Sequence, residues 1–221
     1  MRWLFALSAL LLVAAAKPQA SSVPATGRDW SAVATRLPSG AYLIGNPRAR
    51  VKLVEYASYT CSHCAEFAND SAPVLKDRLI RSGTTSLEFR HVVFNALDLG
   101  AAVLARCTGP SFAVTTARFY QTQPQWLARG AQFGQANAQR LAMYPISGRL
   151  RALVDGAGLT AMTALKPAAI DACFADTKEI DRIATMAGEV SSTPTFFLGG
   201  RRLAGHHWPE IETQLRAAGA R

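Results

Sequence analysis

Between Val51 and Phe94 the hydrophobic pattern changes period twice, and this change restricts the fold more than any other feature of the chain. The run Val51-Lys52-Leu53-Val54-Glu55-Tyr56-Ala57 reads as a strand with apolar residues on both faces, as in a central strand covered on both sides. A helix is predicted from Cys61, with Thr60 as its N-cap. It carries Phe67, Val74, Leu75 and Leu79, stops near Ser82-Gly83, and should kink at Pro73. Leu87 to Phe94 reads as the next strand. Strand, helix and strand at this spacing form a βαβ unit, so its two strands should be parallel.

The rest of the chain fits around that unit. Ser21 to Arg36 is a polar, weakly patterned lead-in, and Tyr42-Leu43-Ile44 is a short strand ended by Gly45, Asn46 and Pro47. From Leu97 to about Gly188 the texture is helical, with candidate helices at 101–107, 112–121, 132–143, 149–157, 168–175 and 179–186. Strands then resume: Thr193 to Leu198, a Gly199-Gly200 hairpin turn, and Arg202 to Ala204, followed by a last helix from Pro209 to Ala218. A helical block therefore interrupts an α/β domain, and a cleft at the boundary is a natural place for a binding site.

The N-terminus reads as an export signal. Arg2 supplies the positive end, Trp3 to Ala16 is apolar but short for a membrane span, and small residues allow cleavage after Ala16 or Ala20. The formal charge is +9. The basic residues are dispersed, which together with export argues against nucleic acid as a partner.

Export gives the four cysteines meaning, because disulfides persist in an oxidising compartment. Cys61-Ser62-His63-Cys64 sits between strand and helix, and local geometry favours pairing its two thiols, which leaves Cys107 with Cys173. Cys61 at the helix start meets unpaired N–H groups and the positive end of the dipole, both of which favour a thiolate. A protonated His63 nearby would add to this. Cys64, further into the helix, should be the more buried thiol. Zinc commonly takes four ligands from two knuckles, and no second CxxC is present, so no metal is expected. Glu55 is a carboxylate in an otherwise apolar strand. It is either a solvent-facing residue of an edge strand or a buried proton acceptor for Cys64. Thr193-Pro194 opens a strand where proline is awkward. A cis bond there would offer the Thr193 backbone to an extended substrate, although on the residues alone the trans form is the simpler reading. His206-His207-Trp208 reads as a polar turn and cap before the last helix, and His91 as a sheet histidine.

The run Val54 to Cys64, the helical interruption, the Thr193-Pro194 loop and the closing hairpin and helix together resemble the DsbA family of exported thiol–disulfide oxidoreductases. The resemblance implies an α/β thioredoxin fold with a central mixed sheet interrupted by an all-helical insertion domain. The expected divisions are 1–20 for the signal and cleavage region, 21–96 with 189–221 for the thioredoxin-like domain, and 97–188 for the insertion. It implies that Cys61 attacks, Cys64 resolves, His63 stabilises the thiolate, Glu55 is the buried acid, and Thr193 and Pro194 form a cis-proline substrate loop. It also implies a structural Cys107–Cys173 bridge, whose loop length is worth roughly 4 kcal/mol in the chain-entropy picture. The implied activity is dithiol oxidation without a cofactor, in the periplasm, by a monomer acting on reduced exported proteins and reoxidised by a membrane partner of the DsbB type. An isomerase or reductase on the same fold, or a metal-binding thioredoxin-like module using Cys61, His63 and Cys64, are the alternatives. Ser62 stands where such families often have proline, which bears on redox potential.

Overall fold

Alternation along Val51–Ala57 decides how the sheet is faced. In the computed structural model, which describes residues 27–221, Val51, Leu53, Glu55 and Ala57 of this strand are buried while Lys52 is exposed and Val54 and Tyr56 are half-buried. One face is therefore fully covered and the other only partly, where the sequence suggested cover on both. The predicted signal segment and both its cleavage points lie outside the described residues.

Among those residues the strands are β1 (Ala34–Arg36), β2 (Tyr42–Gly45), β3 (Val51–Ala57), β4 (Thr85–His91), β5 (Thr195–Leu198) and β6 (Arg201–Arg202), in the sheet order β1-β2-β4-β3-β5-β6. β3 and β4 are parallel, with Leu53 opposite Leu87, and the other pairings are antiparallel. β1 falls in the stretch read as an unpatterned lead-in. Three residues show no period, and its strand character comes from pairing Ala34 with Ile44.

Helix α1 (Ser62–Ser71) follows β3 and continues as a wider π-type segment, Ala72–Ile80. The widening begins beside Pro73, which has no N–H to give to the carbonyl four residues back. At its end the Arg81 N–H donates to the Lys76 carbonyl, five residues back, at 3.1 Å.

Between β4 and β5 come α2 (Ala96–Cys107), α3 (Phe112–Gln121), α4 (Gln123–Ala136), α5 (Ala138–Ala142), α6 (Ile146–Gly156), α7 (Pro167–Ala175) and α8 (Thr177–Ala184), and α9 (Trp208–Ala217) closes the chain. The predicted 132–143 helix is two helices broken at Asn137, and α4 starts nine residues earlier than read, with Pro124 in its first turn. Asn95 caps α2 by accepting from the Asp98 N–H at 2.9 Å, and Asp176 caps α8 by accepting from Glu179 at 3.0 Å.

The core runs without interruption from sheet to helices. Leu53, Phe89, Phe112, Phe119, Trp126 and Phe196 are all at most 1% exposed. Buried Arg106 of α2 donates from Nε to Glu179 of α8 at 2.8 Å, and Arg36 of β1 pairs with the same carboxylate. This network ties the sheet edge to two helices, and truncating one partner would strand a buried charge.

His91, at the end of β4, packs among Tyr59, Phe89 and Phe112. Burial first, and the Arg106 charge second, push its pKa well below the ordinary value. The unfolded chain gains a proton near pH 6.5 that the folded chain refuses, so stability falls as the pH drops below that point. The His91 Nε2 has no partner to lose. His91→Leu is therefore expected to flatten the acid side of the stability curve below about pH 6.5, read by urea denaturation. An unchanged acid slope would assign that loss to other groups.

Candidate active site

The segment between β3 and α1 is fixed by groups that sequence reasoning passed over. Asp98 of α2, 1% exposed, accepts from the Tyr59 N–H at 2.9 Å, the Ser58 hydroxyl at 2.6 Å and the Phe94 N–H at 3.0 Å. Tyr59 is fully buried, and its hydroxyl bonds Thr116 of α3 at 2.7 Å. Gln123 of α4 donates from Nε2 to the carbonyls of Tyr59 and Cys61, both at 2.8 Å. The helical block thus holds the loop by side chains that are unremarkable in sequence: an acid and an amide in helices. The only signal for Asp98 was an acidic residue in the first turn after Asn95. Asp98→Ala leaves two buried backbone N–H groups without partners, and is expected to cost about 3 kcal/mol in chemical denaturation. A loss below about 1 kcal/mol would show that water replaces the carboxylate.

Cys61 is the N-cap residue itself, with extended backbone at φ −84° and ψ 121°, and the helix begins at Ser62. This corrects the sequence reading, which put the cap at Thr60 and Cys61 inside the helix. Thr60 instead accepts from Asn95 at 3.2 Å and lies beside Ser58. The correction sharpens the chemistry, because a cap side chain faces the N–H groups two and three residues on. As a thiol, Cys61 Sγ donates to the Thr193 carbonyl at 3.4 Å. As a thiolate it becomes the acceptor for the Cys64 thiol, for Thr193 and for the N–H groups of Cys64 and His63. These donors, the Cys64 thiol foremost, outweigh burial and lower its pKa to about 5. The buried Thr193 hydroxyl has no other partner.

His63 faces this sulfur with its backbone N–H, while its exposed ring packs edge-on to His206 at 5.3 Å and His207 at 6.5 Å. Cys64 is fully buried, and burial, the hydrogen bond to Cys61 and the nearby Glu55 charge push its thiol far above the ordinary range. Both thiols are free.

Glu55 lies on the covered face of β3, 3% exposed, in register with Phe89 and Phe196. Burial, and then the Cys61 charge, raise its pKa to about 8. Its Oε1 has no partner, and the side chain borders a cavity of about 80 Å³ between α1 and α3, shared with Phe67, Thr116 and Tyr120.

The Thr193-Pro194 peptide is cis. With His63, Thr195, Arg202 and His206 it lines a groove of about 420 Å³ beside Cys61.

A thioredoxin family model matches residues 39–217. The chain belongs to the thioredoxin family.

Within that family the fold is DsbA-like. The crystal structure of a protein-disulfide isomerase from Novosphingobium aromaticivorans is 30% identical, with a TM-score of 0.72, covering 82% of this chain and 98% of that one. Wolbachia pipientis alpha-DsbA1 shares the fold at 23% identity and a TM-score of 0.61, over 82% of this chain and 92% of its own. A Rickettsia bellii protein provisionally named a protein-disulfide oxidoreductase is 26% identical over 72% of this chain and 56% of its own length. The chain spans about half or less of the length of the curated relatives it matches.

The remaining candidates lie elsewhere on this thioredoxin-family chain. Cys107 at the end of α2 and Cys173 in α7 are bonded, with Cα atoms 6.0 Å apart. His207 caps α9 in a reciprocal box with Glu210, which also accepts from the His206 N–H at 2.9 Å. Among the described residues no group of three His, Cys, Asp or Glu side chains is arranged to hold a metal, and no helix is long and apolar enough to cross a membrane.

Proposed function

We propose that the chain is an exported thiol–disulfide oxidoreductase, specifically a dithiol oxidase that donates the Cys61–Cys64 disulfide to folding proteins. The observation that carries this is the asymmetry of the two sulfurs: Cys61 half-buried with its pKa lowered to about 5, Cys64 buried with its thiol pushed up. A group that leaves easily as a thiolate stabilises the reduced protein and makes its disulfide the stronger oxidant.

In the forward reaction a substrate thiolate attacks Cys61 Sγ. A substrate–Cys61 bond forms, the Cys61–Cys64 bond breaks, and Cys64 leaves as a thiolate that takes a proton from Glu55. A second substrate thiolate then attacks the substrate sulfur and releases Cys61 as a thiolate. The substrate loses two electrons and the protein gains them. Thr193 and Pro194 form the loop that receives the substrate backbone. In this reading residues 1–20 direct the chain to the periplasm, it works as a monomer without cofactor, and a membrane partner of the DsbB type accepts its electrons. Cys107–Cys173 is a structural bridge.

The test mixes catalytic amounts of the oxidised protein with a reduced, unfolded two-cysteine substrate and a terminal oxidant. Substrate disulfides should form well above background, and formation at the background rate would overturn the reading. A second reading, disulfide isomerase, draws on the Novosphingobium likeness. Faster repair of a scrambled-disulfide substrate than oxidation of a reduced one, from the same preparation, would favour it.

A further inference from the structure

Resting on the oxidase reading, we propose that the groove beside Cys61 selects substrates carrying an acidic residue next to their cysteine, and that Arg202 is the specificity-determining residue. Arg202 stands exposed at the end of β6 and lines the groove. It donates from Nη2 to the hydroxyls of Ser192 and Thr195, each at 3.4 Å. These two residues flank Thr193 and Pro194, and Thr193 is the residue whose carbonyl touches Cys61 Sγ. The guanidinium is thus tethered by two weak contacts on the loop that borders the reactive sulfur. Among the described residues it pairs with no carboxylate, so most of its donors remain available.

The other charges nearby favour the same occupant. None of the groove-lining residues is acidic, and Arg202 is the charged residue among them. Glu210 lies against it but is turned away, with Oε2 accepting the N–H groups of His206 and His207 at 2.9 and 3.0 Å. Glu66 faces His207 Nδ1 at 3.5 Å, and Glu189 lies outside the lining. A cleft of one sign concentrates ligands of the other, and a guanidinium fork matches a carboxylate in both charge and shape. An extended peptide advances about 3.3 Å per residue, so a carboxylate within roughly two residues of the substrate cysteine would reach Arg202 while the sulfur meets Cys61. The preference comes from local geometry as well as from the overall charge of +9, which steers from a distance without choosing the position of the acid.

The experiment uses two synthetic peptides with one cysteine, flanked by Glu in one and Lys in the other. Each reduces the oxidised full chain in low salt, and each rate is divided by that peptide's rate with bis(2-hydroxyethyl) disulfide, which cancels differences in thiol reactivity. The Glu peptide should react about five-fold faster, the scale of one exposed ion pair. The preference should shrink toward unity at about 0.5 M salt. Arg202→Glu should reverse it, while Arg140→Glu on exposed α5 should leave it standing. Equal normalised rates, or an equal response to Arg140→Glu, overturn this inference while dithiothreitol is still oxidised. Failure to oxidise dithiothreitol overturns the oxidase reading and this inference together.

Discussion

Cys61→Ala is expected to lower the rate of substrate oxidation by about three orders of magnitude or more, to the uncatalysed background, because no alternative sulfur can form the mixed disulfide. Cys64 does not substitute for it, since it is fully buried and its thiol is held protonated by burial, by Cys61 and by Glu55. The converse variant separates the two roles. Cys64→Ala keeps the Cys61 sulfur with its Thr193 and backbone donors, removes the Cys64 thiol that is the largest cause of its lowered pKa, and leaves no resolving sulfur. When a substrate disulfide is offered, Cys61 should therefore accumulate as a stable adduct, visible as a mass increase equal to the attached thiol. The fold should tolerate Cys61→Ala near pH 5, where little of the stability that the Cys61 thiolate contributes at higher pH is present. Circular dichroism and thermal unfolding at pH 5 within a degree or two of the reduced parent would establish that chemistry and not structure was lost. Retained turnover in folded Cys61→Ala would remove Cys61 from the mechanism.

The second large effect is a pH dependence of stability that changes with redox state. Glu55 titrates near 4.5 when unfolded and at about 8 in the folded protein. Between these values the folded chain keeps a proton that the unfolded chain has released, so stability falls as the pH rises. Over the full window the loss is on the order of 5 kcal/mol, of which burial is the larger cause and the Cys61 charge, absent in the oxidised form, the smaller. Cys61 acts in the opposite direction. Its folded value of about 5 lies below the unfolded 9.0. The reduced protein therefore gains stability as the pH rises through the same range. The oxidised protein has no Cys61 thiol to titrate, so above about pH 6.5, where His91 no longer opposes it, the Glu55 loss remains. Urea unfolding from about pH 6.5 to 8 should accordingly show a decline for the oxidised form and a much flatter profile for the reduced form. Glu55→Gln should flatten the oxidised profile and slow exchange about a hundredfold, the low end of general acid–base effects. Parallel profiles for the two redox forms would contradict the assignment of these two groups.

Much of the fold was legible because the sequence states it through hydrophobic period. Val51 to Ala57, the parallel partner strand and the helical stretch before the hairpin each carry a repeat long enough to see. β1 was not legible, because three residues have no period and pair only through the backbone. Nor was the start of α4, where Gln123 and Pro124 precede any apolar repeat. In the site, the cysteines, Glu55 and Thr193-Pro194 stood out as residue types that are awkward where they occur. Asp98, Tyr59 and Gln123 did not, since an acid at a helix start, a loop tyrosine and a helical glutamine are each ordinary in sequence. Their role follows from what they meet across 39 to 64 positions of chain.

The sequence by itself determined that two thiols stand three apart between a strand and a helix, and that a helical block separates them from Thr193-Pro194. Those are local facts of spacing and period. Only the tertiary structure decided that Cys61 is the capping residue, that the acidic Glu55 lies on the covered face of β3, and that Arg202 stands at the groove with no carboxylate partner among the described residues. Each depends on groups distant in sequence that desolvate it, donate to it or leave it unpaired. Electrostatics at a site follows distance in space, and the chain order does not contain that distance until it is folded.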